Sequence, residues 1–168
     1  MNKYQLKITS RELSIKPYFG FMPKIKAFAL LAVLIFATVP FMGNWMNNHI
    51  RYTLYGIGAI MVFYAIYDFL FNVNVKFLFD KNAGVIYRIN APFLRQRLMT
   101  FEEMTIINVS GDPGCMEYAI GQKKKQFMKN YSISDIFTNS KKSNAREQEY
   151  VEQVLNPILE FVKSDHSS

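Results

Sequence analysis

The sequence contains few of the residues that carry enzymatic and metal chemistry. It has one cysteine, Cys115, and two histidines, His49 and His166. A single cysteine excludes an intrachain disulfide and is consistent with a reduced cytoplasmic setting. No Walker A loop, G-x-G-x-x-G or H-E-x-x-H motif occurs. The adjacent Glu102 and Glu103 are typical of a solvated turn rather than an acid/base pair. We therefore expect no metal ion, no cofactor and no enzymatic activity.

Two long stretches of the sequence lack charged residues altogether. They are AFALLAVLIFATVPFMG, residues 27–43, and YTLYGIGAIMVFYAIY, residues 52–67. A bilayer core of roughly 30 Å needs about 20 residues of helix, so both runs predict transmembrane helices. No A-x-A-like cleavage site follows the first run, and we expect both helices to be retained. They define a predicted transmembrane hairpin over residues 24–71, joined by the short loop NWMNNHIR.

Basic residues near the helix ends predict the orientation of this hairpin. The loop has a single arginine, whereas four lysines flank the other ends: Lys24, Lys26, Lys76 and Lys81. The positive-inside rule therefore places both termini in the cytoplasm. By this topology His49 and His166 lie on opposite sides of the membrane and cannot form one zinc site with Cys115.

One carboxylate, Asp68, lies near the end of the second apolar run. In a helix that begins at Tyr52, it would lie roughly 24 Å along the axis, close to the cytoplasmic boundary. We interpret Asp68 as an interfacial charge that pairs with Lys24, Lys26 or Lys76. A proton or substrate site is the alternative.

The periodicity of the sequence changes after the second run. From Phe71 to Phe79, apolar side chains occupy every second position, which predicts a half-buried strand. The turn segment DKNAG, with Gly84 available for positive φ, and the alternating GVIYRIN complete a predicted β-hairpin over residues 73–90. Further strands are predicted over residues 97–101, 105–110, 115–120 and 126–131.

The two ends of the chain complete the predicted domain. Residues 1–23 contain two short alternating segments, YQLKIT and ELSIKP, which join the later strands of residues 72–140. Residues 141–168 predict an amphipathic helix, with an Asn144 to Glu147 capping box and a kink at Pro157. These elements match those of a pleckstrin-homology-like (PH-like) domain. We therefore predict an α+β membrane protein, in which a two-helix transmembrane hairpin carries a PH-like antiparallel β-barrel or sandwich closed by a C-terminal helix.

The order of these segments resembles that of bacterial membrane proteins with a PH-like domain. In particular, FDKNAGVIYR is similar to the F-D-K-x-x-G-x-I-x-R stretch that follows the hairpin in the photosystem I assembly factor family of thylakoids. The resemblance implies a multi-pass protein of the bacterial inner membrane that acts as an assembly factor or scaffold. Nothing photosynthetic is visible in the sequence, so only the architecture is carried over.

Two binding functions from different classes follow from this layout. The first is a non-catalytic scaffold or regulator that holds a protein-binding surface against the lipid bilayer, with a membrane-associated protein as partner. The alternative is lipid-headgroup or small-ligand sensing by a lysine cluster in a predicted turn: Lys123, Lys124, Lys125 and Lys129. An enzyme acting on lipid is a third and weaker alternative.

The net charge bears on binding of nucleic acid, and small residues in the second apolar run bear on helix packing. The net charge of +7 is divided between helix-flanking positions and this turn, which does not favour nucleic acid. Gly56, Gly58 and Ala59 would allow close helix packing, either within the hairpin or in a homo-oligomer.

Overall fold

The computed structural model describes residues 4–42, 46–90, 94–109, 114–122 and 130–164. The protein is of the α+β class, with antiparallel sheets, a helical hairpin and a C-terminal helix. In chain order the elements are β1 (Lys7–Ile8), β2 (Glu12–Ile15), α1 (Met22–Thr38), α2 (Asn48–Asp68), β3 (Lys76–Asp80), β4 (Val85–Asn90), β5 (Leu94–Thr100), β6 (Met104–Val109), β7 (Cys115–Gln122), β8 (Tyr131–Ser132), β9 (Phe137–Thr138), α3 (Lys141–Tyr150) and α4 (Asn156–Lys163).

The helices α1 and α2 form a hairpin with an apolar surface. With the short helical turns at their ends they extend over Phe19–Met42 and Asn48–Val73, which are 24 and 26 residues long. Among the described residues, these two helices are long and apolar enough to cross a membrane. Large apolar side chains on both helices are exposed, including Leu30 at 61%, Val33 at 62% and Phe63 at 70%.

The two helices of the hairpin approach each other closely at Gly58. A Cβ atom at this position would lie 3.0 Å from Cε2 of Phe36 and 3.4 Å from Cγ2 of Ile35. At Gly56, by contrast, no atom would lie within 4 Å of an added Cβ. The predicted close packing at small residues is therefore found within the hairpin, at Gly58 rather than Gly56.

The first sheet combines strands from both sides of the hairpin. Its order is β1-β2-β3-β4-β5, and every neighbouring pair is antiparallel. The strand β2 precedes α1, and it pairs with β3, which follows α2. Leu13 lies opposite Phe79 and Ile15 opposite Phe77, with all four side chains buried. The predicted pairing of the N-terminal strands with the later ones is confirmed by this register.

The second sheet and the C-terminal helix complete the β-domain, by which we mean all described elements outside the hairpin. This sheet contains β6, β7 and β8, and β9 pairs with β7. The helix is continuous from α3 through a π-helical segment, Val151–Leu155, into α4. Its side chains Tyr150, Val154 and Ile158 share one core with both sheets. In the described parts of the chain the strands form open sheets, so the barrel form of the prediction is wrong.

Two local predictions fail, the first because of a tertiary contact and the second because an earlier residue caps the helix. Residues Phe69–Val73 continue α2 as a π-helical turn, and β3 begins only at Lys76. Val73 is buried against Ile25 and Ala65, which keeps this stretch helical in spite of its alternating sequence. The C-terminal helix begins after Ser140, whose side chain accepts a hydrogen bond from the Ser143 N–H, and the predicted capping box is not formed.

Two other local predictions agree with the structure. Gly84, in the turn between β3 and β4, has φ of 59°, a left-handed conformation that glycine adopts without strain. The regular α-helix is interrupted at Val151–Leu155, directly before Pro157. Proline has no N–H for the hydrogen bond of a regular helix, which accounts for the interruption at this point.

Candidate functional site

A small apolar cluster lies at the base of the hairpin, where the chain enters it from the β-domain and leaves it again. Ile25, Ala65 and Val73 are buried together, and Phe19, Met22 and Phe28 pack around them. Close by, Nζ of Lys16 lies 3.4 Å from Oδ1 of Asn74, which links the segment after β2 to the segment before β3. The two chain crossings between hairpin and domain are therefore held together by both apolar and polar contacts.

Asp68 lies on the wall of a cavity at this junction. The cavity has a volume of about 290 Å³ and is lined by Tyr18, Phe21, Lys24, Asp68, Asn72 and Val73. The Asn72 side-chain amide donates a hydrogen bond of 2.7 Å to Oδ1 of Asp68. No lysine in the described ranges lies within 4 Å of the Asp68 carboxylate, so the predicted ion pair is replaced by this hydrogen bond.

A second cavity, of about 470 Å³, lies between α1 and α2 beside the first. Its wall is mainly apolar and consists of Phe28, Ile57, Ile60, Met61 and Tyr64, together with Lys24 and Asp68. The Lys24 ammonium lies 5.9 Å from the centre of the Phe28 ring. Because Lys24 and Asp68 line both cavities, we treat the two as one interhelical groove. It has a charged end at the β-domain and an apolar end along the hairpin.

The other predicted site residues lie away from this groove. Lys26 is exposed on α1, and Lys76 is half-buried at the start of β3, opposite Ile89. The predicted lysine cluster, Lys123, Lys124, Lys125 and Lys129, lies outside the described residues. Of the four predicted interfacial charges, the structure thus brings only Lys24 and Asp68 together.

Sequence reasoning missed a group of three tyrosines in the core of the β-domain. Tyr4, Tyr118 and Tyr150 come from the N-terminal segment, β7 and α3, and we call them the tyrosine cluster. The Tyr150 ring lies 4.9 Å from that of Tyr4 and 5.8 Å from that of Tyr118, measured between centroids. Tyr150 donates a hydrogen bond of 2.8 Å to the Ile133 carbonyl, and Tyr118 donates one of 2.8 Å to Glu147.

Burial raises the pKa of each hydroxyl in the tyrosine cluster. For Tyr118, burial and then the hydrogen bond to Glu147 raise the pKa to about 12. Burial and the neighbouring Asp135 carboxylate raise the pKa of Tyr4, and burial and the neighbouring Tyr4 raise that of Tyr150. All three hydroxyls are therefore protonated donors at neutral pH, which suits them to structural hydrogen bonding.

Among the described strands, β5 forms one edge of the first sheet. Its first four residues, Leu94 to Arg97, are exposed, and the Leu94 side chain is 73% exposed. Arg95 lies across the neighbouring strands, with its guanidinium 3.7 Å from the centre of the Tyr87 ring and 3.5 Å from Oδ2 of Asp80. This edge therefore presents backbone, one large apolar side chain and two arginines to its surroundings.

No protein-family model, curated protein or solved structure matches this chain. Within the described residues, no three His, Cys, Asp or Glu side chains form a group that could hold a metal ion. The features that bear on function are therefore the interhelical groove, the exposed edge of β5 and the connection between the hairpin and the β-domain.

Proposed function

We propose that this protein is a membrane-anchored, non-catalytic scaffold or regulatory protein of the bacterial inner membrane. Its β-domain binds a partner protein at the cytoplasmic surface. The observation that carries the proposal is the pairing of β2 with β3 across the hairpin. Since the sheet needs strands from both sides of α1 and α2, the β-domain remains tied to the hairpin at two points. Such a domain is held at a fixed distance from the bilayer, as a scaffold requires.

The exposed apolar surface of the hairpin supports insertion into a membrane. A helix in a soluble domain turns its apolar side chains toward a core, whereas a helix in lipid is apolar on all sides. Leu30, Val33 and Leu34 of α1 are exposed, as are Ile60, Phe63 and Ile66 of α2. Burial of such a large apolar surface in hydrocarbon is favourable, and its exposure to water is unusual for a soluble monomer.

The layers of the β-domain support a PH-like assignment and a binding function. Two antiparallel sheets share a core with a C-terminal helix, as expected for a PH-like sandwich. The resemblance of FDKNAGVIYR to the photosystem I assembly factor family agrees with an assembly or scaffold function. The proposed orientation, with both termini in the cytoplasm, follows from the lysines that flank the hairpin.

The exposed edge of β5 is the surface that we assign to the partner. An edge strand offers unpaired backbone groups, and an added strand from another protein can satisfy them. Leu94 would enter an apolar pocket of the partner, and Arg95 and Arg97 favour a strand with acidic side chains. The proposed partner is therefore a membrane-associated protein with an acidic, extended segment.

Cross-linking and purification of the full-length protein from detergent-solubilised cells tests this function. We expect one specific partner to be recovered reproducibly, and Leu94→Asp to reduce its recovery about tenfold, equivalent to about 1.4 kcal/mol of binding. Ile136→Asp is the matched control, because Ile136 is 60% exposed but lies outside β5. Repeated purifications without a specific partner would contradict the scaffold function, and equal losses from both variants would contradict the assignment to β5.

A further inference from the structure

We infer that the interhelical groove binds one phospholipid with a phosphoethanolamine headgroup. The lipid phosphate contacts Lys24, the lipid ammonium contacts Asp68, and one acyl chain lies between α1 and α2. This inference rests on the proposed insertion of the hairpin into a bilayer. It goes beyond the proposed scaffold function because it assigns a ligand to the anchor rather than a partner to the β-domain.

The charged end of the groove matches a zwitterion. Lys24 and Asp68 line the same two cavities, and they do not form an ion pair with each other within 4 Å. The only hydrogen bond that the described structure gives the Asp68 carboxylate is the one from Asn72 to Oδ1. A cation and an anion that share a cavity wall without neutralising each other fit a ligand with both charges.

The position of this charged end fits a lipid headgroup. Lys24 lies in the first turn of α1, and Asp68 is the last residue of α2, so both lie at the end of the hairpin next to the β-domain. In a bilayer this end reaches the headgroup region. A charged pocket between transmembrane helices at this depth is within reach of lipid headgroups.

The apolar end of the groove has the dimensions of an acyl chain in one leaflet. The residues that line it on α2 run from Tyr64 back to Ile57. From Asp68 to Ile57 the helix axis rises about 16 Å, close to half of a hydrocarbon core of roughly 30 Å. Phe28 lines the same end from α1. A soluble metabolite would leave this apolar wall uncovered, whereas an acyl chain covers it.

The two charges also select among phospholipids. An anionic headgroup such as phosphatidylglycerol can pair with Lys24, but it offers no cation to Asp68 and repels that carboxylate. The trimethylammonium group of phosphatidylcholine carries the charge but donates no N–H hydrogen bond. The primary ammonium of phosphatidylethanolamine has three donors and forms a charge-assisted hydrogen bond with a carboxylate. The groove should therefore prefer phosphatidylethanolamine to both.

Native mass spectrometry of the detergent-purified, full-length protein tests this preference. The protein is titrated with phosphatidylethanolamine, phosphatidylcholine and phosphatidylglycerol that carry the same acyl chains. We expect one phosphatidylethanolamine per chain, retained at least roughly fivefold better than the other two lipids, in keeping with about 1 kcal/mol for each charge contact. Asp68→Asn should remove this selectivity and should raise retention of phosphatidylglycerol relative to the wild-type protein. Lys24→Gln should lower the retention of all three lipids, because each of them carries the phosphate that contacts Lys24.

Two further variants distinguish lipid binding in the groove from a general effect of charge at this end of the hairpin. Lys26→Gln removes a positive charge from the same end of α1, but Lys26 does not line the groove, so lipid retention and selectivity should both be unchanged. Ile60→Trp fills the apolar end without changing a charge and should reduce retention of phosphatidylethanolamine. It also tests the site independently should either charge variant fail to fold.

Three results would overturn the inference. Equal retention of the three lipids by the wild-type protein would show only a lipid shell around the hairpin. A preference for phosphatidylglycerol that Lys24→Gln abolishes would show a simple anion site without a function for Asp68. Recovery of the protein outside the membrane fraction would refute the proposed anchor as well, whereas a membrane-integral protein without lipid selectivity would refute the groove alone.

Discussion

Leu13 and Phe79 lie opposite each other in β2 and β3, although one precedes the helical hairpin and the other follows it. Both side chains are fully buried in the core of the β-domain. Pairing strands so far apart in sequence has an entropic cost, which is lowered when the hairpin holds the two chain crossings together. Folding of the β-domain and formation of the hairpin should therefore be coupled.

Removal of the Leu13 side chain should destabilise the β-domain, although Leu13 precedes the hairpin in the sequence and most strands of the domain follow it. We expect Leu13→Ala to lower the free energy of unfolding by about 2–5 kcal/mol, the usual effect of a large-to-small change in a core. Ile8 pairs with Leu13 but is 52% exposed. Ile8→Ala should therefore change stability by only about 0.5 kcal/mol.

Denaturant titration of the detergent-solubilised protein, followed by near-ultraviolet circular dichroism, compares the two variants. Deletion of residues 1–17 is the more severe form of the same test and should make the β-domain sensitive to protease. Equal stabilities of Leu13→Ala and Ile8→Ala would contradict the assembly of one core across the hairpin.

The close approach of α1 and α2 at Gly58 gives a second prediction. Alanine has a helix propensity that is higher than that of glycine by about 1 kcal/mol, so Gly56→Ala should be neutral or stabilising. At Gly58 the added Cβ would lie 3.0 Å from the Phe36 ring, which is itself stacked on Tyr55. At Gly58 we expect this steric conflict to cancel the gain in helix propensity. The thermal midpoint of Gly58→Ala should therefore fall below that of Gly56→Ala.

A second substitution tests the cause of that difference. Phe36→Leu should provide room for the Gly58→Ala methyl group, so the double variant should recover part of the lost stability. If Gly56→Ala is as harmful as Gly58→Ala, the two helices do not pack in the observed register.

The sequence predicted those features of the fold that depend on local patterns. Uncharged runs indicated the two long helices, and DKNAG indicated the turn at Gly84. It failed where a distant contact competes with a local pattern, as at Val73, whose helical conformation depends on burial against Ile25 and Ala65. The Asn72 partner of Asp68 was missed for the same reason, because the alternation from Phe71 placed Asn72 in a strand and not in the next helical turn.

The tyrosine cluster shows a further limit of prediction from sequence. Tyr4 belongs to the alternating YQLKIT segment, but no local pattern marks Tyr118 or Tyr150 as its neighbours. These side chains come from three distant parts of the chain, and their contacts exist only after the sheets and the C-terminal helix have packed together.

The hydrogen bond between Tyr150 and Ile133 should contribute measurably to stability. Tyr150 is 1% exposed, and its hydroxyl donates to the Ile133 carbonyl at 2.8 Å. Tyr150→Phe keeps the ring but leaves this carbonyl without the hydroxyl donor, which should cost about 1–3 kcal/mol. Thermal unfolding of the purified protein would measure the loss, and an unchanged midpoint would contradict a structural function of the hydroxyl.

The tyrosine cluster also predicts loss of stability at alkaline pH. Tyrosine in the unfolded chain ionises near pH 10, roughly its reference value, whereas burial and Glu147 raise the pKa of folded Tyr118 to about 12. Above pH 10 the folded state therefore binds more protons than the unfolded state. The contribution of the raised pKa to the free energy of unfolding is fully present below about pH 10 and is lost between about pH 10 and pH 12. The loss is about 1.4 kcal/mol per pH unit for each tyrosine that remains protonated in the folded state.

Denaturant titrations between pH 9 and pH 12 measure this dependence. Tyr118→Phe removes one of these tyrosines. It should therefore reduce the slope of the free energy of unfolding against pH by about 1.4 kcal/mol per pH unit. Lysines also titrate in this range, but they are the same in the wild-type protein and the variant, so the difference between the two reports on Tyr118. The same slope for both proteins would contradict ionisation of Tyr118 as a cause of alkaline unfolding.

The proposed membrane topology predicts which surface positions react with a thiol reagent outside the cell. Ser10 and Asn139 belong to the β-domain and are exposed, and Asn48 is exposed at the far end of the hairpin. Asn48 is preferable to Asn47, because the Asn47 side chain caps α2 by accepting a hydrogen bond from the His49 N–H. Single cysteines at these three positions, in a Cys115→Ser background, would therefore report the side of the membrane rather than burial.

With both termini in the cytoplasm, an impermeant maleimide should label Asn48→Cys on intact cells and leave Ser10→Cys and Asn139→Cys unlabelled. After the cells are permeabilised, all three positions should react, which verifies that the two β-domain cysteines are accessible. Ser10 and Asn139 must also behave alike, because β2 pairs with β3 and both lie in one domain. Labelling of Ser10→Cys on intact cells would reverse the proposed orientation. Labelling of only one of the two would separate the N-terminal strands from the rest of the β-domain, which is incompatible with the pairing of Leu13 and Phe79.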